Sequence, residues 1–115
     1  MTTLYGIKNC DTVKKARHWL EEHQIDYRFH DFRADGLNKI QVQTWIDDLG
    51  WESLINKRSA TWKQLSEVTK KSLNDKTATA TILANPTLIK RPLLELDGKR
   101  HLGFKDSEYE QLFIK

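Results

Sequence analysis

Within its first 32 residues the chain changes hydrophobic period twice, and that switch constrains the fold more than any other feature. Thr3-Leu4-Tyr5-Gly6-Ile7 is short, β-prone and broken near a glycine, after which Val13, Ala16 and Leu20 recur at helical spacing. Tyr27-Arg28-Phe29-His30-Asp31-Phe32 then alternates aromatic and polar side chains, as a half-buried strand does. The opening predicts β-α-β. Its first junction, Lys8-Asn9-Cys10-Asp11-Thr12, places the chain's one cysteine at or just before a helix N-terminus.

The far end carries a second ordered pattern. Leu93-Leu94-Glu95-Leu96 and Lys99-Arg100-His101-Leu102 flank Asp97-Gly98, a turn signal for a tight hairpin. Ser107 and Glu110 then offer a capping box for a last helix carrying Tyr109, Leu112 and Phe113. Between the ends, Val42, Trp45, Ile46 and Leu49 form an i, i+3, i+4, i+7 stripe, with Asn38 and Gln41 placed to cap it and Gly50 to stop it. From Trp51 to Asn85 the periodicity weakens, and two or three short helices are expected, one of them opened by Thr61 and Gln64. The expected class is therefore α/β, with a helical insertion between a β-α-β half and a β-β-α half. Strand order does not follow from these patterns.

At 115 residues, 38% of them hydrophobic, the chain suffices for one domain, 1–115, and is too short for two. The start, Met1-Thr2-Thr3-Leu4-Tyr5, lacks the pattern of a signal peptide, and no apolar run is long enough to span a bilayer. A cytoplasmic protein with no membrane partner is expected. The 19 basic and 16 acidic residues are interleaved, leaving a net charge of +3, so a nucleic-acid footprint is not expected. The four tryptophans fall at or near apolar helical positions and are assigned to packing rather than base stacking.

A lone cysteine cannot close an internal disulfide, so any sulfur chemistry needs a second thiol from another molecule. At a helix N-terminus, unsatisfied N–H groups and the helix dipole favour the thiolate, and Lys8 and Lys14 add to that field. Rival chemistries fail on spacing. Val13 excludes a Cys-x-x-Cys dithiol, and Ala16 stands where a Cys-x5-Arg phosphate loop requires arginine. His18, His23, His30 and His101 do not form a metal-ligand set, and no metal is expected. Asn56-Lys57-Arg58-Ser59 and Ile89-Lys90-Arg91-Pro92 each place arginine among cations far from Cys10 in sequence.

Gly6-Ile7-Lys8-Asn9-Cys10-Asp11-Thr12, Leu54-Ile55-Asn56-Lys57-Arg58 and Pro86-Thr87-Leu88-Ile89-Lys90-Arg91-Pro92 occur in this order along nearly the whole chain. Together they resemble the arsenate reductase/Spx family, and most closely its YffB-like branch. The resemblance implies a thioredoxin-like fold with a helical insertion, Cys10 as nucleophile, and Arg58 and Arg91 as anion-binding catalytic partners. It implies a cis peptide before Pro92, and a substrate-binding surface including Lys8, Asn9, Thr12 and Pro92. In the arsenate reductases a third arginine follows the hairpin, where this chain reads Leu102-Gly103-Phe104-Lys105-Asp106, and a serine stands at the position of Val13. Weak or absent arsenate reduction is expected.

The expected activity is a glutathione-dependent thiol reductase acting on a small oxidised thiol or oxyanion. Glutathione would be the reductant, and no cofactor would be resident. The alternative is a Spx-like, non-enzymatic regulator that binds RNA polymerase. Such regulators commonly carry a Cys-x-x-Cys switch, which Val13 excludes here.

Overall fold

The structure is a computed structural model and describes residues 2–114. Its compact units are two, one formed by residues 2–34 with 91–114 and the other by residues 35–90.

The first unit holds a four-stranded sheet. Strand β1 spans Thr3–Gly6, helix α1 Asp11–Glu22 and strand β2 Arg28–Asp31. Within this unit, strands β3 (Leu93–Leu96) and β4 (Lys99–Leu102) form the hairpin, followed by a helix over Asp106–Phe113. The sheet order is β2-β1-β3-β4, with β1 parallel to β2 and antiparallel to β3. This is the thioredoxin-like fold the family resemblance implied, with the strand order now fixed. The hairpin turns on Asp97 and Gly98, both at positive φ (51° and 78°), as a two-residue turn between twisted strands requires.

One face of the sheet, carrying Leu4 and Leu94, packs on Ala16, Trp19 and Leu20 of α1 and on Tyr109 of the last helix. Tyr109 is fully buried and meets Trp19 and Phe104 edge-on, with ring centroids 5.5 and 4.7 Å away. Burial pushes its phenol pKa up, and the Glu108 charge adds to the rise. The last helix starts two residues earlier than expected, behind Lys105, with no side-chain cap. Ser107 and Glu110 thus lie inside the helix and form no capping box.

The second unit is built from short helices: α2 Lys39–Leu49, α3 Trp51–Leu54, α4 Ala60–Gln64, α5 Glu67–Lys71 and α6 Thr77–Ala84. The helix of the first unit that closes the chain is accordingly α7. The Asn38–Gln41 capping box forms in both directions, at 2.8 and 3.1 Å, and Gly50 ends α2 at φ 84°. Residues 51–84 hold four helices rather than two or three, and Ser59, not Thr61, caps α4. The Thr61 hydroxyl instead bonds that of Thr87 at 2.6 Å.

Val42, Trp45, Ile46, Leu54, Ala78 and Ile82 are buried in this unit. Trp51 and Trp62 are only half-buried, with Lys57 facing both rings, so core packing accounts for Trp19 and Trp45 but not for these two. A short antiparallel bridge, Ile55 to Ile89, is framed by Asn56 N–H to Leu88 O at 2.7 Å and Lys90 N–H to Leu54 O at 2.8 Å.

Candidate functional site

The first unit assembles its polar end around Gly6, the last residue of β1. In register, Gly6 lies beside Asp31 of β2, while Tyr5 pairs with Leu93 and so sets Pro92 at the same end of the sheet. From this end the chain leaves β1 through Ile7-Lys8-Asn9 and enters α1 behind Cys10. Gly6 is required by a close approach: a Cβ there would stand 2.7 Å from Cγ2 of Val13. The first turn of α1 therefore seats directly on the end of β1, with Val13 fully buried.

Cys10 is the N-cap residue of α1, extended in backbone (φ −116°, ψ 123°), and its carbonyl accepts from Lys14 N–H at 2.9 Å. Its side chain makes no capping hydrogen bond and is half-buried. A serine or asparagine in that position would ordinarily engage the first-turn N–H groups. Lys8 and Asn9 are exposed, and Thr12 lies in the first turn of α1.

Arg91 is half-buried, and the Arg91–Pro92 peptide is cis, as the family resemblance implied. Pro92 is buried, and its carbonyl accepts from Gly103 N–H at 2.9 Å, which closes the start of the hairpin. Lys8, Asn9, Cys10, Thr12, Arg91 and Pro92 therefore all belong to the first unit. Arg58 belongs to the second, on the exposed turn between α3 and α4, where its N–H donates to Asn56 Oδ1 at 3.0 Å.

One residue of this end was not anticipated. Asp31 is 6% exposed, yet its Oδ1 accepts from Arg33 N–H at 2.7 Å and Ala34 N–H at 3.1 Å, and the carboxylate also accepts from Lys8 N–H. Burial by itself pushes the acid up. The N–H groups of Ala34, Arg33 and Lys8, together with the Lys8 charge, outweigh it and hold the carboxyl below its ordinary value. In sequence Asp31 was one polar position of an alternating strand. The available signal was an aspartate at a strand end, a residue type that captures N–H groups of the following turn.

Among the described residues no group of three or more His, Cys, Asp or Glu could hold a metal ion. No helix among them is long and apolar enough to cross a membrane.

The profile of the ArsC family matches residues 5–112. A solved structure of a protein named YFFB superposes with a TM-score of 0.92 at 42% identity, covering 96% of this chain and 97% of that one. An uncharacterised protein of Haemophilus influenzae is 50% identical over 98% of this chain and 99% of its own length. The global transcriptional regulator Spx of Lactiplantibacillus plantarum is 32% identical over 94% of this chain and 83% of its own.

Proposed function

The chain belongs to the ArsC family, and on that footing we propose that it is a glutathione-dependent thiol reductase with Cys10 as its nucleophile. One observation carries the proposal. The chain's one cysteine stands uncapped and half-buried at the start of α1, at the sheet end shared with Pro92.

On a glutathionylated substrate, the Cys10 thiolate attacks the glutathione sulfur, forming a Cys10–glutathione disulfide and expelling the substrate thiolate, which takes up a proton. With no second cysteine to resolve that disulfide, a free glutathione thiolate attacks its glutathione sulfur and releases Cys10. One substrate disulfide is reduced and one glutathione disulfide is formed. Lys8 and the N–H groups of α1 attract the anionic tripeptide, and Asn9, Thr12 and Pro92 border it. Arg91 and Arg58 are assigned to holding thiolate and carboxylate charge. The missing third arginine and the apolar Val13 favour an oxidised thiol over arsenate as substrate.

Intact-mass measurement after incubation with oxidised glutathione tests this. The wild type should gain one glutathionyl group and Cys10→Ser none, with Arg58→Ala and Arg91→Ala gaining it more slowly while remaining folded. The relative that is a global transcriptional regulator supports a second role, regulation of transcription, and contact with RNA polymerase is the form of that role the family resemblance implies. A wild type that takes up no glutathione yet binds RNA polymerase would replace the enzyme with that regulator.

A further inference from the structure

Asp31 makes more bonds than its own turn needs. An Asx-type turn is closed by one side-chain oxygen receiving N–H groups one to three residues on, and Oδ1 does this with Arg33 and Ala34. An asparagine or serine would serve equally for that purpose, without the cost of burying a charge. The third N–H comes from Lys8, in the loop between β1 and α1, two residues before Cys10.

Just beyond the ladder, Phe32 N–H donates to Gly6 O at 2.8 Å. The backbone bond and the carboxylate thus bind the end of β2 to the segment leading to the thiol at consecutive points. The Lys8 charge also contributes to holding the Asp31 carboxyl below its ordinary value.

We propose that Asp31 is a positioning residue: its carboxylate, bonded across from β2 to the Lys8 backbone, fixes the Lys8–Cys10 segment and so sets the Cys10 sulfur at the mouth of α1. It acts through the loop rather than on the substrate. The proposal rests on Cys10 being the nucleophile. A loop has many conformations near in energy, and a reacting atom displaced by 1 Å can lose orders of magnitude in rate. A buried, charged anchor two residues away removes that freedom.

Charge and position oppose each other here, which makes the test sharp. Removing a nearby negative charge favours a thiolate and moves the pH profile of Cys10 labelling downward. Releasing the loop from its place at the helix mouth moves it upward. Iodoacetamide labelling of folded Asp31→Asn should follow a profile displaced upward by about half to one pH unit, with the rate at pH 7 roughly three- to ten-fold lower. Asp31→Ala should be slower still.

A lowered melting temperature with an unmoved profile means that Asp31 only supports the fold, and overturns the proposal. So does a downward displacement, which is the mark of charge alone. Should neither variant fold, hydrogen exchange in the wild type decides: a protected Lys8 amide supports the anchor, and one exchanging at the unstructured rate removes it. A wild-type thiol no faster than free cysteine at pH 7 would defeat the enzyme itself, an outcome separate from any effect of Asp31.

Discussion

In the insertion, α2, α4 and α5 each begin under a side chain that accepts a first-turn N–H: Asn38, Ser59 and Ser66. Ahead of α6, Asn74 takes Lys76 and Thr77 N–H at 2.8 and 3.0 Å, while α3 begins behind Gly50 with no side-chain cap. In the sheet unit neither α1 nor α7 has a side-chain cap, and the residues in the cap positions are Cys10 and Lys105. Helices α4 and α5, five residues each with no buried side chain, rely on such local bonds. Helix α1 does not need one, because Val13, Ala16, Trp19 and Leu20 are buried, and its N-terminus is left open where the thiol stands. The difference teaches that the open helix end is afforded by packing elsewhere.

Three substitutions probe that contrast. The largest effect is expected from Leu94→Ala in the sheet unit, where a fully buried side chain facing α1 and α7 is removed, at roughly 2–5 kcal/mol in denaturant unfolding. In the insertion, Asn38→Ala removes the Oδ1 that accepts Gln41 N–H, leaving the Asn38 N–H to Gln41 Oε1 arm in place, and should cost about 1 kcal/mol. Equal losses for the two would erase the distinction between packing and capping. The smallest effect has the opposite sign. Cys10→Ser supplies a hydroxyl at the open N-cap and should raise stability by about 0.5–1 kcal/mol while abolishing the glutathione adduct. An unchanged or lowered stability would indicate that the end of α1 is satisfied in some other way.

How much could be read from the chain follows the same division. The α2 cap, stripe and glycine stop are contiguous, so Asn38, Gln41 and Gly50 were legible residue by residue, as was the Asp97–Gly98 turn. The cysteine's place at the start of α1 was legible because the hydrophobic period changes there. Ser107 and Glu110 misled because their spacing fits a box, while Lys105 is the residue whose backbone turns into the helix. Trp51 and Trp62 fit apolar helical positions but lie in helices of four and five residues, too short to bury a full face. Strand order and the bond from Lys8 to Asp31 depend on residues brought together by register, and no local pattern encodes them.

The sheet unit is discontinuous in sequence, and this bears on the order in which the molecule is assembled. Pairing of β1 with β3 joins Thr3 to Glu95, a separation of 92 residues, whereas β1 and β2 are joined through α1 alone. Closing a flexible loop costs entropy that grows as the logarithm of its length, and contacts of such separation slow the search. The insertion accounts for residues 35–90 of that loop, and its own bridge, Ile55 to Ile89, lies wholly inside it. Structure gained early within the insertion therefore shortens the disordered span that β1 and β3 must close. In sequence, the segment that separates the two halves of the sheet acts in this way by shortening the loop that the pairing of β1 with β3 must close.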